Sequence, residues 1–207
     1  MRNMNLRKLP FLALVLGVLL HFEVVADGMR DTVVAAMEAS FEAKKQATMD
    51  RLDQDETQTL CTQHAAGILP SAVAERIMTL NRATIRPPPD GQYLGDWKGG
   101  ELIAQTGTGF QSSDDPTKPA GGNCYACHEL SGSEIAFGTI GPSLRYYGKV
   151  RGTSPTTLAA AWAKLYNSNA HMPCSNMPRF GHRGILTDQQ LKDLMALLFD
   201  PASPVNQ

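Results

Sequence analysis

The 207-residue chain is 43% hydrophobic and 19% charged, with a formal net charge of −1. That balance argues against a nucleic-acid-binding surface, and no run of like charge is long enough for a polybasic membrane patch. The length left after a leader suits one domain with a real core better than two independent ones.

Met1 to Ala26 reads as a secretory signal. Arg2, Arg7 and Lys8 supply a positive start, Leu9 to Leu20 is an apolar run short for a bilayer, and Val24-Val25-Ala26 offers small residues at a cleavage site. An uncleaved anchor is the alternative. Either way the folded part is expected outside the cytoplasm, in the periplasm of a bacterium, with no membrane association after cleavage.

Residues 27–90 read as a helical N-terminal extension. Val33, Met37 and Phe41 recur at helical spacing, predicting a helix from Thr32 to about Leu52. A second helix is predicted from Ser71, as its cap, to Asn81, with Val73, Ile77 and Leu80 on one face. Arg86-Pro87-Pro88-Pro89-Asp90-Gly91 breaks the pattern and sets the boundary to a core over 91–207.

In the core, Asp96 caps a helix running to about Gln105, whose Gly99 and Gly100 lower helix stability but permit a close crossing. Ser112 to Gly122 reads as a surface loop. Ser154 with Pro155 opens a helix to Tyr166, and Thr187-Asp188-Gln189-Gln190 is a capping box for a last helix whose buried face is Leu191, Leu194, Met195 and Leu198. No strand pattern is convincing, so the fold class is all-α.

The chemistry lies in Cys124-Tyr125-Ala126-Cys127-His128. Two thiols at this spacing add across the two haem vinyl groups, and the adjoining imidazole then reaches the iron; C-x-x-C-H is a signal for one covalently attached haem c. A four-ligand zinc site needs two more thiols or imidazoles at paired spacing, and a thioredoxin-like dithiol needs adjoining strands. The chain offers neither. Cys61 and Cys174 remain, and in an oxidising compartment such a pair is a disulfide candidate, with free thiols or a bond to a partner chain as alternatives. The bridge would close a loop of roughly 110 residues, a stabilisation of about 4–5 kcal/mol.

His128 would bind iron through Nε2, leaving Nδ1 in need of an acceptor. Pro142, in Ile140-Gly141-Pro142-Ser143-Leu144, is either that acceptor or a simple turn residue. For the sixth ligand, Met172 and Met177 each precede a proline, which favours extended backbone, while His171 and His182 lie in the same loop.

The order of helix, haem motif, loop, helix, methionine loop and terminal helix resembles the class I cytochrome c fold, in which the first and last helices cross beside the haem. More narrowly, several segments together resemble the SoxX family. These are Gly122 to His128, Gly138 to Leu144, Tyr147-Gly148, Arg151-Gly152, Met177-Pro178-Arg179-Phe180-Gly181, Gly184 to Thr187 and Asp200 to Asn206. SoxX proteins are the monohaem cytochrome subunits of SoxXA complexes in bacterial thiosulfate oxidation.

The resemblance covers roughly Gly91 onward. It implies a Pro142 carbonyl bonded to His128, Met177 as the second axial ligand of the haem iron, and a SoxA-like cytochrome subunit as partner. The SoxYZ carrier would be met through the complex, and a downstream c-type cytochrome would accept the electrons. It also implies no catalytic residue in this chain, which would be the electron-transfer subunit of a heterodimeric L-cysteine S-thiosulfotransferase. The alternative is a free diffusible monohaem cytochrome c. The long segment before Pro89 and Cys174 in the ligand loop depart from the family pattern.

Overall fold

The structure, a computed structural model, describes residues 28–207; the export-signal expectation for Met1 to Ala26 lies outside them. The chain forms two compact units, divided after Asp53.

In the first unit, the described residues form helix α1 over 28–40, a tight turn in which Lys44 and Ala47 pair their backbones, and a 3-10 helix at Met49–Leu52. The expected helix to Leu52 therefore stops early. Lys45 takes a left-handed φ of 53°, which continuing helix does not allow. The stripe that predicted the helix is present, but Val33 and Phe41 are exposed.

The second unit, Gln54–Gln207, holds α2 (Glu56–Gln63), α3 (Ser71–Arg82), α4 (Trp97–Gln105), α5 (Tyr147–Arg151), α6 (Pro155–Tyr166) and α7 (Asp188–Phe199). Three expected caps are made: the side chains of Asp96, Ser154 and Thr187 accept from the amides of Lys98, Thr157 and Gln190. At α3 the cap position falls to Pro70, which lacks a capping side chain, so Ser71 is the first helical residue. α2 was not expected, although Asp55 and Gln58 form a reciprocal capping box at its start.

The proline run at 87–89 is not a structural boundary. Residues 54–90 are built into the second unit by polar bonds reaching across it. The Trp162 indole donates to the Arg86 carbonyl at 2.7 Å, and Arg82 Nε donates to the Ala170 carbonyl at 3.2 Å. Buried Asn167 donates to Asn81 Oδ1 and Thr84 Oγ1, each at 2.9 Å, and Asn81 donates in turn to Thr57 Oγ1 at 2.8 Å. The bonds of Asn81 to Asn167 and to Thr57 are buried, which makes them costly to break.

The apolar core lies between α4, α6 and α7, and includes Ala104, Trp162, Leu165, Leu191, Leu194, Met195, Leu197 and Phe199. α4 and α7 cross at van der Waals contact. A Cβ at Gly100 would lie 2.1 Å from the Asp193 carbonyl oxygen, so only glycine lets the backbones meet. The start of α4 is also tied to α7, because the amides of Gly95 and Asp96 donate to Lys192 O and Asp193 Oδ1, each at 2.9 Å. This crossing fixes the end of α4, from which the thiol-bearing turn hangs.

Candidate haem site

Backbone bonds pin the Cys124–Ala126 turn on both sides. Before it, the amides of Gly122 and Asn123 donate to Ile103 and Thr106 carbonyls at 2.8 and 2.9 Å, fastening it to the end of α4. Asn123 takes a left-handed φ of 45°, and the amides of Cys127 and His128 then return to the Cys124 carbonyl at 3.1 and 2.9 Å. That coil brings the Cys124 and Cys127 side chains, both free thiols, onto one short turn. Burial, with Cys127 adding to it, pushes the Cys124 thiol up to about 12, so it stays protonated at neutral pH.

On the other side, the amides of Gly138, Gly141 and Leu144 donate to the carbonyls of Tyr125, Cys127 and Glu129, each at 2.8 Å. The 138–144 loop is thereby stitched to the motif residue by residue. It carries the Pro142 carbonyl to 2.7 Å from His128 Nδ1. Since a carbonyl can only accept, Nδ1 holds the proton and Nε2 keeps its lone pair for a metal. A Cβ at Gly141 would sit 2.2 Å from His128 Cε1, so the ring lies flat against bare backbone.

The methionines part company. Met172 is 62% exposed, whereas Met177 is partly buried against the same apolar cluster as Cys124, Leu144 and Ile185. Met177 is held by its backbone: its carbonyl accepts from Ser168 Oγ at 2.5 Å and its amide donates to Ser175 Oγ at 3.2 Å. His171 and His182 are both held neutral to lower pH than an ordinary histidine. Burial is the first cause in each, followed by Lys164 and Arg82 for His171 and by Arg179 and Arg183 for His182.

Cys61 and Cys174 are joined in a disulfide across 113 residues, connecting α2 to the methionine loop. A second tie was invisible in the sequence. Asp55 Oδ2 pairs with Arg179 at 2.7 Å and with Arg183 at 2.6 Å, and Arg179 is buried. Arg179 stands within Met177-Pro178-Arg179-Phe180-Gly181, but its partner lies far upstream, and nothing local announces the pairing.

These residues fit a covalently attached haem. Two unbridged thiols share one turn with an imidazole whose tautomer leaves Nε2 free, and the stitched loop exposes Ile140 (74%), with Phe137 (40%) just before it, apolar surface that a porphyrin would cover. Among the described residues no three of His, Cys, Asp and Glu gather in a way that could hold a metal ion. No helix among them is long and apolar enough to cross a membrane.

Residues 117–199 match the family model for cytochrome c, a span containing the thiol pair, Met172, Met177 and all of α7. An uncharacterized lipoprotein of Aquifex aeolicus (strain VF5) is 39% identical over 158 residues, covering 74% of this chain and 73% of the relative. With an all-helical unit, the attachment motif and this match in hand, the chain carries a cytochrome c domain over residues 117–199, which supports a c-type cytochrome with covalently attached haem c and suggests electron transfer.

Proposed function

We propose that this chain is the electron-accepting cytochrome subunit of a SoxXA-type complex, with Cys124 and Cys127 attaching one haem and His128 and Met177 as axial ligands. Bound haem supplies a one-electron iron couple at this site. His128 is oriented by the Pro142 carbonyl, and Met177 is presented from a loop bonded at its own carbonyl and amide. With His128 and Met177 both bound, the iron would have no open position for substrate, which would favour electron transfer over bond making.

The observation that carries the reading is the partly buried Met177 within Met-Pro-Arg-Phe-Gly, packed on the cluster that also receives Cys124. The sulfur chemistry would belong to a SoxA-like partner. There, thiosulfate would be joined to a carrier cysteine with loss of two electrons, and this chain would pass them singly to a c-type cytochrome. A periplasmic location agrees with the signal read in Met1 to Ala26, and the relative's printed description as a lipoprotein points to export as well.

Purification from the native host tests the assignment. A second cytochrome should accompany the chain, and thiosulfate with the carrier should reduce its haem. A chain that purifies alone and stays oxidised under those conditions is a free electron carrier instead. Met177→Ala should abolish the sulfur-to-iron charge-transfer band of the ferric protein and leave haem attachment intact; an unchanged band assigns the ligand elsewhere.

A further inference from the structure

Helix α2 makes an unusual set of contacts. Thr57 is its only buried residue, and no residue of α2 joins the apolar core. Two of its strongest ties instead converge on the loop that carries Met177. Cys61 is bonded to Cys174, three positions before the methionine. Asp55, the cap of α2, is paired with Arg179, two positions after it, and with Arg183.

The carboxylate of Asp55 divides its work. Oδ1 accepts from the Gln58 amide at 2.8 Å and so starts α2, while Oδ2 receives both arginines. Gln58 Oε1 accepts from Arg183 Nη2 at 2.9 Å, reinforcing the same junction. Between the two ties the loop has no regular secondary structure. A thioether is a weak ligand, and a free loop gains roughly 1–2 kcal/mol of entropy per residue released, so an irregular segment would readily drift from the iron.

We infer that α2 is a two-point clamp on the sixth-ligand loop, with Asp55 and Cys61 as positioning residues that keep Met177 over the iron. The inference rests on the His128/Met177 reading proposed above. Each acts by restricting the chain on one side of Met177. The clamp closes the sixth position to small external ligands, which suits a pure electron relay. Losing one tie leaves the other holding the loop, and losing both frees it.

Carbon monoxide binding to the reduced holoprotein without denaturant reads the clamp, because the gas enters only when Met177 leaves. Asp55→Ala should speed binding roughly tenfold, since Arg179 is left buried without its partner. Cys61→Ser with Cys174→Ser should do likewise, and the three changes together should erase the charge-transfer band of the ferric protein. Asp55→Asn keeps the cap acceptor and reports the same effect if the alanine variant does not fold. Asp90→Asn breaks the Lys192–Asp90 pair, 2.6 Å in length and remote from the loop in sequence, and should leave both readouts at wild type.

If the wild type shows the band and its Asp55 and cysteine variants bind carbon monoxide within twofold of it, the clamp is wrong and the ligation stands. A wild type without the band overturns both together. Acceleration by Asp90→Asn equal to that by Asp55→Asn shows general loosening and also overturns the clamp.

Discussion

The imidazole of His128 donates from Nδ1 to the carbonyl oxygen of Pro142 at 2.7 Å, and the ring lies against Gly141, where a Cβ would come within 2.2 Å of Cε1. The bond sets which nitrogen is left with a lone pair for a metal, and the glycine sets where the ring can lie. Because the acceptor is backbone, replacing Pro142 does not remove it. Gly141→Ala should be the damaging change, pushing the ring off line at a cost of about 1–3 kcal/mol. Electron paramagnetic resonance of the ferric protein should show a second, altered low-spin or high-spin species with both thioethers intact; a wild-type spectrum would refute this role for the glycine.

The crossing of α4 and α7 leads to a second expectation. Gly100→Ala places a methyl 2.1 Å from the Asp193 carbonyl oxygen, a backbone atom that cannot swing aside. The helices must separate, so stability should fall by about 3 kcal/mol, lowering the melting temperature by on the order of 6–12 °C. Gly99→Ala meets only the Asp193 carboxylate, at 3.1 Å, and should cost much less. Thermal denaturation of the two variants side by side checks the contrast.

Acid should weaken the second unit in two stages. Burial works against the charged form of Asp55, but the Gln58 amide, Arg179 and Arg183 outweigh it and hold the carboxyl below its ordinary value of 3.8. A depressed carboxylate stabilises the fold fully above that ordinary value and loses its contribution as pH falls toward the folded one. His182 acts earlier, because burial and then Arg179 and Arg183 hold it below 6.5, so stability declines as pH drops through that range and the unfolded chain takes the proton first. Urea midpoints should therefore fall below about pH 6.5 and again below about pH 4. Because His171 is depressed in the same direction, replacing His171 and His182 together with Gln should flatten the first step, and Asp55→Asn the second.

Removing the disulfide should cost about 4–5 kcal/mol, because the bridge closes a loop of 113 residues in the unfolded chain. The double change Cys61→Ser and Cys174→Ser avoids leaving a lone thiol to compete with Cys124 and Cys127 during attachment. Urea unfolding of this variant should show a lower midpoint and a steeper slope, because the unfolded chain freed of the bridge exposes more surface.

Features set by neighbouring residues were legible before the structure. Asp96, Ser154 and Thr187 cap helices because a side chain and an amide two or three positions on suffice. The thiol pair with His128 was plain for the same reason, as was the glycine that α4 needs. What escaped depended on distant partners. Asp55-Glu56-Thr57-Gln58 carries a capping box in plain view, yet α2 has no apolar stripe to draw attention to it, since its anchors are a disulfide and a carboxylate rather than a buried face. The prolines after Arg86 read as a linker because nothing local shows that Trp162 donates to the carbonyl just before them. The stripe in α1 promised a longer helix than Lys45 allows.

The segment from Asp200 to Asn206 was among the marks that pointed to sulfur-oxidising cytochromes, and its contacts change what that mark means. Asn206, fully buried, donates from Nδ2 to the Leu198 and Asp200 carbonyls at 3.0 Å each, and its Oδ1 receives the Lys149 amide at 3.2 Å. Ser203 Oγ donates to the Leu197 carbonyl at 2.6 Å, and the Val205 carbonyl accepts from the Tyr146 amide at 2.7 Å. One short peptide thus plugs the open carbonyl end of α7 and bolts α5 to it, a task any protein with this helix pair would need done. The motif is a fastener, and a cytochrome could exchange its redox partners and still retain it.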